Sequence, residues 1–533
     1  MQTVSENWKN VHKQTLLNES FVEVSLDVAD PEALMDASSR GALDNGAVYI
    51  SDSSKLTDGV DTTPTPYCTL EKNLWVLDGR RKAIPEINLG DEGYVGDALS
   101  DETCVFSEKI PTITIELSKV YHNFIPGITI TWSDTYGEFA DEFVVRAYNG
   151  DTVVAEKEVS GNRSVKSLVM MDIVDYDRIE IQVKKWCLPL HRARVAEIFV
   201  GMNKVYSKSD FFSYSHTQSV DPVSTSLPKT EIQFSIDNVN GEYDPHNNEG
   251  MAKYLMERQE IRSRYGLKLD DGTIEWIKGG TFYLSEWYAK QSGMTADFTA
   301  RDLLEFMSAN YSETHDLTSR SLYDLAILVL NAAELPVNND GSVKWRIDES
   351  LESVYTNAPL PEDTLANCIQ LIANAGECTM YQDRDGILHI EPLKFDDTDY
   401  EINSFNSYSK PEIVLTKPIK QINVKVYSYK QGNDRVESTT TEEIISVGEK
   451  GETITIDNPL VTDADRARSL GEWLRTHLGH RMTLDSSWRA DVRLDALDIV
   501  TNENSYHTNR VRMTNVKYQY NGAFRGTGSG KVI

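Results

Sequence analysis

Cysteine is scarce: five residues (Cys68, Cys104, Cys187, Cys368, Cys378) in a chain of 533, odd in number and without a C-x-x-C pair. That excludes a disulfide framework and a cysteine-built zinc cluster, and predicts reduced, mostly buried thiols in a chain that folds in a cytosol. Long apolar runs are also missing. The longest, "LAILVL" at 325–330, is far short of the roughly 18 residues a membrane span requires. The opening "MQTVSENWKNVHKQTLLNES" lacks the apolar core of a signal peptide, so the expectation is a soluble protein without membrane anchoring. Positive charge is the third deficit. Lysine and arginine number 53 against 83 acids, a net charge of -30. Such a surface repels phosphate, which excludes tight wrapping of nucleic acid and contact with an anionic membrane. It suits a wall along which DNA slides without sticking.

What is present is mostly β signal. "EIQFSID" (231–237) alternates apolar and polar residues, the period of a strand with one buried face, and "NVNGEYDPHNN" then supplies the residues of a tight polar reversal. Between 73 and 200, "PTITIELS", "GITITWS", "DEFVVRAY", "DTVVAEKEV", "SVKSLVMMDI" and "RIEIQVKKW" recur at close spacing, the habit of a sandwich or jelly roll. "SFVEVSLDVA" (20–29) and "NGAVYIS" (45–51) predict earlier strands, residues 1–18 a short amphipathic helix, and 52–72 a polar, turn-rich edge. Helices are predicted at 321–336, ending at Pro336, at 362–376, ending at Gly376, and at 463–479, which has an Asp at its start and a Gly at its end. "CTMYQDRDGILHIEPL" (378–393) predicts a hairpin turning on Asp-Gly. The fold class is therefore mainly β with an α+β middle segment. At about 150 residues per domain the length suggests three or four units.

Chemistry-bearing patterns are few. "RGTGSGK" lacks the first glycine of a phosphate loop, Arg525 standing there, and predicts a flexible Gly-rich tail. "DNVNGEYD" and "YQDRDG" fail the calcium-loop pattern at Val239 and Pro392 and read as ordinary turns. His477 and His480 have Glu472 nearby but no indicated third metal ligand. Asp485, Asp491, Asp495 and Asp498 crowd one region, for which solvated surface is the expected explanation among 83 acids. No catalytic pair, cofactor or metal site is nominated, so no enzyme is expected. In the β-rich block, Tyr121 and His122 ("KVYHNF") and Asp134 and Tyr136 ("SDTYGEFA") lie in expected loops, where an aromatic beside hydrogen-bonding groups can stack on a sugar. The alternative, tyrosine as edge covering, carries the greater weight, because 25 tyrosines need places.

Three stretches together resemble the hub or tail-tip proteins of tailed bacteriophages that infect Gram-positive bacteria. "YCTLEKNLWVLDG…GYVGDALSDE" with "YDRIEIQVKKWCLPLHRARVAEIFVG" resembles a discoidin-like jelly roll inserted in such hubs. The others are "SHTQSVDPVSTSLPKTEIQFSIDNVNGEYDPHNNEG…GGTFYLSEW" with "FTARDLLEFM", and "WRADVRLDALDIVTNENSYHTNRVRMTNVKYQYNGAFRGTGSG". The resemblance implies residues 1–53 as an N-terminal helix and the first part of hub barrel 1, and 54–200 as the inserted jelly roll. It further implies 201–310 as the remainder of barrel 1, 311–412 as an α+β connecting domain, and 413–533 as hub barrel 2. It implies a homotrimer at the tail tip or baseplate of the virion, assembled in the bacterial cytoplasm, whose six barrels continue the tail tube in a pseudo-sixfold ring. Implied partners are the distal tail, tail tube and tape measure proteins, a receptor-binding or lytic tip protein, DNA in transit, and host-wall glycan. The alternative function is a carbohydrate-binding adhesin acting through the jelly roll.

Overall fold

The structure, a computed structural model, describes residues 1–40, 42–48, 50–59, 66–79, 81–83, 93–247, 250–290, 294–311, 317–338, 341–431 and 436–533. Parts of the expected strand at 45–51, of the polar edge 52–72, of the reversal after Asp237 and of the segment 311–412 lie outside the described residues. The fold is mainly β, with 47% of residues in strands and 14% in helices. Two compact units form: Met1–Val24 with Tyr206–Ile533, and Ser25–Val205.

In Ser25–Val205 two sheets share one core. The larger runs Ala42–Asn45, Thr112–Tyr121, Tyr176–Trp186, Ala140–Asn149, Thr152–Ser160, and the smaller Glu197–Phe199, Ile125–Thr131, Lys166–Ile173. Ile113 and Ile115 alternate inward from one sheet, and Ile128 and Ile130 meet them from the other. Trp132 fills the centre, edge-on to Phe143 at 5.0 Å and Trp186 at 6.0 Å. Its indole nitrogen donates to Ser167 Oγ at 2.7 Å, so the ring is buried without an orphaned donor. The five cysteines are free; burial pushes the Cys187 and Cys368 thiols up to about 11 and Cys378 to about 12, which keeps them protonated and inert.

The other unit is organised by a long sheet. Its strands run Glu260–Lys268, Ile274–Lys290, Thr295–Arg301, Lys229–Asp237, Phe211–Ser219, then Thr508–Tyr520, Phe524–Val532, Met482–Arg489 and finally Glu412–Leu415. The first five belong to the expected barrel 1 and the rest to, or beside, the expected barrel 2. They join where Phe211–Ser219 pairs antiparallel with Thr508–Tyr520, Tyr214 opposite Tyr520 through Ser219 opposite Asn515. In the Lys229–Asp237 strand, Ile232, Phe234 and Ile236 are buried, and Phe234 stacks on Phe298 at 4.9 Å. The polar face is less wet than its composition suggests. Glu231 is only 7% exposed, since Arg301 at 3.3 Å and Lys229 at 3.2 Å compensate its charge. The reversal closes on itself: Asn238 Oδ1 accepts from Tyr243 N–H at 2.9 Å, and Gly241, at φ 66°, donates to the Asn238 carbonyl at 2.9 Å.

The tail corrects one expectation. Phe524–Val532 is a sheet strand between Thr508–Tyr520 and Met482–Arg489, not a flexible end. Its glycines alternate on one face, where larger neighbours lie across the backbone. A Cβ on Gly526 would stand 2.6 Å from the Trp488 ring, and one on Gly530 2.5 Å from Val511. Glycine here makes room for a neighbour, a role invisible in composition alone.

Candidate functional site

The four sugar-site candidates fall into two pairs. Tyr121 ends the Thr112–Tyr121 strand and is buried; its hydroxyl donates to Asp36 at 3.1 Å, and its ring lies near Tyr176. The exposed His122 sits 2.6 Å from Asp175. Asp134 and Tyr136 occupy the turn before Ala140, whose partner is Trp186. Tyr176 and Trp186 are the two ends of one strand, about 33 Å apart at strand rise. The pairs therefore do not share a site.

At the Tyr136 end the residues are densely engaged. The Tyr136 hydroxyl donates to the Tyr67 carbonyl at 3.1 Å and accepts from its N–H at 3.2 Å. The guanidinium groups of Arg194 and Arg81 lie 4.7 and 5.4 Å from its ring centroid. Beneath it the buried Glu71 and Arg194 form a two-point ion pair, and Glu71 is held below the usual carboxylate range because Arg194 overrides the opposing effect of burial. Glu138 accepts from Trp186 Nε1 at 2.8 Å and faces His191 Nδ1 at 2.9 Å, while His191 Nε2 donates to the Lys72 carbonyl at 2.7 Å. With both ring nitrogens against acceptors, His191 favours the imidazolium; burial opposes that charge, but Glu138 raises its pKa on balance.

Around this cluster the chain exposes apolar residues that the reading of motifs passed over. Leu70, Trp75 and Leu77 project from a loop tied down by Cys68 N–H to Lys82 carbonyl at 2.7 Å and Arg81 Nη1 to Leu74 carbonyl at 3.0 Å. Trp75 is 55% exposed. The legible signal was "NLWVLDG": four consecutive apolar residues inside a turn-rich stretch, where a strand would alternate.

In the unit containing the long sheet, a cleft of about 580 Å³ opens beside Arg384 and the Asp495–Asp498 turn. Arg384 lies at the tip of the hairpin Thr379–Gln382 and Leu388–Glu391. Asp383 Oδ1 accepts from the N–H groups of Asp385 and Ile387, both at 2.9 Å, and Gly386 adopts φ 78°, where a Cβ would also press on Thr281 at 3.0 Å. Arg384 is thereby driven inward, 4% exposed. Its Nε donates to Asp495 at 2.7 Å, Nη1 to the Lys278 carbonyl at 2.8 Å, and Nη2 to the carbonyls of Val492 at 2.8 Å and Leu494 at 3.1 Å. One side chain thus ties this hairpin to the strand Ile274–Lys290 and to residues 492–495.

The acids here correct the expectation of solvated surface. Asp485 is exposed, but Asp491 is buried, bonded to Trp8 Nε1 at 3.0 Å and Arg493 at 2.6 Å. Burial works to raise Asp495, and the charges of Arg384 and the Met1 amino group leave it below its ordinary value. Asp498, bonded to the Met1 amino group at 2.7 Å, is raised by burial and by Asp495. Asp399 pairs with Lys9 at 2.9 Å and Arg493 at 3.4 Å. These carboxylates are committed to cations, an arrangement that latches the helix Glu6–His12 rather than poising an acid and a base. Apart from Arg493, two residues from Asp491, the partners lie about a hundred or more residues away, so counting neighbours along the chain misjudged the site.

No family model matches the chain, and among curated proteins none matches. Solved structures do. The chain is similar to the 43 kDa tail protein of prophage MuSo2 from Shewanella oneidensis, at 12% identity and TM-score 0.41, over 61% of this chain and 95% of that one. It is similar to a tail protein from Neisseria meningitidis MC58, at 10% identity and TM-score 0.41, over 62% and 94%. It is also similar to prophage tail protein gp18 from Listeria monocytogenes EGD-e, at 12% identity and TM-score 0.39, over 62% and 91%.

Proposed function

We propose that this chain is a structural virion protein, the hub of a phage tail tip or baseplate, without enzymatic activity. Three copies close into a pseudo-sixfold ring that continues the tail tube, with barrels drawn from 19–52 with 201–310 and from 413–533. Residues 311–412 connect them. The observation that carries this reading is the open end of the long sheet. Its last strand, Glu412–Leu415, is exposed at all four residues, three of them apolar, with Leu415 at 65%. An uncovered apolar edge is an aggregation hazard unless another chain pairs with it, and ring closure by identical copies supplies that partner. The net charge of -30 supports a lumen from which DNA is repelled in transit. Distal tail, tail tube and tape measure proteins stack above and below, and a receptor-binding or lytic tip protein completes the tip.

The test is the solution mass of the full chain. A trimer is expected, and Leu415→Asp should shift it toward monomer. A wild-type chain that stays monomeric at every concentration, and in particles lies away from the tail axis, overturns the hub.

A second reading, host-wall carbohydrate binding through the insert at 54–200, is favoured by one observation, the exposed Trp75 on its pinned loop. A flat, solvent-facing indole is the side chain that stacks on a sugar ring. Wall glycan binding by the full chain should fall about tenfold in Trp75→Ala, the worth of one lost stacking contact, and stay unchanged in His122→Ala. Equal loss in both variants, or no binding by the wild type, refutes it.

A further inference from the structure

One cationic cluster stands out in this acidic chain because, among the described residues, its cations form no ion pair. Arg512 on Thr508–Tyr520 and Lys531 on Phe524–Val532 are direct cross-strand partners. Like charges in that position destabilise a sheet. His477, in the last turn of the helix Ala464–Leu478, and His480 just beyond it complete the lining of a recess of about 20 Å³, room for about one water molecule. Arg512 is 2% exposed. It gives one bond, Nη2 to the Lys394 carbonyl at 2.6 Å, and its Nε is buried without a partner. Phe395, 4.4 Å below the guanidinium, holds it in place. Among the described residues no carboxylate pairs with Arg512 or Lys531. Asp221 and Ile533 also line the recess, and neither forms an ion pair with Arg512 or Lys531; the Asp221 oxygens are engaged by the N–H groups of Val223 at 3.2 Å and Thr225 at 2.8 Å.

The electrostatics agree with the geometry. Burial together with Arg512, His480 and Lys531 pushes His477 down to about 4, and burial with Arg510 pushes Arg512 down to about 10. A buried cation normally costs several kcal/mol unless paired. A site that keeps one unpaired, opposite another, is organised for an anion that arrives from outside.

We propose that this recess binds a single oxyanion group, one oxygen entering between Arg512 and Lys531 with the histidines at its rim. The chemistry is that of a carboxylate or phosphate, supplied either as a free ion or as an acidic side chain of a second copy of this chain. The proposal stands independently of the hub reading.

The test titrates the full chain with inorganic phosphate and with acetate against chloride at constant ionic strength, by calorimetry and by the ring signals of His477 and His480. The key variant is Lys531→Gln, at a partly exposed position where folding should survive. Binding that raises the His477 midpoint and weakens at least about tenfold in the variant supports a free oxyanion. Absence of direct binding, with copies that dissociate in phosphate and in Lys531→Gln alike, supports the acidic side chain. No binding and no effect on assembly, or binding unchanged in the variant, overturns the proposal.

Discussion

Replacing Arg384 by methionine removes four hydrogen bonds, one of them the ion pair with Asp495, while retaining most of the apolar stem. Burial is costly for both charges, so the pair's net worth against an apolar substitute is small. Removing one partner is different, because it leaves the half-buried Asp495 beside Asp498 with the Met1 amino group as its remaining cation and the amides of Gln2 and Gln218 as its remaining side-chain donors. Breaking a fully buried pair costs about 3–5 kcal/mol, and with Asp495 partly exposed the loss expected here lies at the lower end, about 3 kcal/mol. Arg384→Lys should recover little, since an ammonium cannot span three carbonyls and a carboxylate with one planar fork. The assay is urea unfolding of the full chain followed by tryptophan fluorescence, with Trp8 and Trp488 both buried in the affected unit. A double-mutant cycle with Asp495→Asn should return a coupling of about 1–3 kcal/mol, the double variant losing less than the sum of the singles. A single-variant loss below about 1 kcal/mol, or strict additivity, would refute the idea that Arg384 joins the three segments.

Three further outcomes follow from particular residues. His216 is buried neutral, its Nδ1 2.8 Å from the Tyr265 hydroxyl, and burial with Arg384 pushes it down to about 3. Its contribution to stability is therefore complete above its unfolded value near 6.5 and is lost as pH falls toward 3; His216→Phe should flatten the stability profile across that window. His191 has the opposite sign. With its folded pKa raised by Glu138, its contribution is complete below about 6.5 and is lost as pH climbs through the folded value, so His191→Gln should remove that decline in unfolding measured on the sandwich. Gly526→Val would force branched carbon against the Trp488 ring, and should cost about 1–3 kcal/mol in urea unfolding, while Thr527→Val on the neighbouring residue should cost little.

What could be read from residue order was whatever depends on near neighbours. Alternation located "EIQFSID", "PTITIELS" and the Asp-Gly hairpin, because period and turn chemistry are local. The aspartate at the start of 463–479 follows the same rule, Asp463 accepting from the Arg466 N–H three residues on. The misjudged features depend on distant partners. The glycines of the tail look disordered until Trp488 and Val511 are laid across them. Asp491 and Asp495 look solvated until Trp8 and Arg384 reach them. Tyr121 and Tyr136 look like companions because their separation in sequence is small, whereas the strand Tyr176–Trp186 keeps their loops apart.

The ladder between Phe211–Ser219 and Thr508–Tyr520 has a mechanical consequence. Pulling along those strands loads every bond of the row at once, so the seam resists shear far better than peeling. A swivel between the two strand groups would have to rupture the whole row. Flexing that leaves this row intact is taken up in turns and connecting loops, and the two groups move together as far as the row holds.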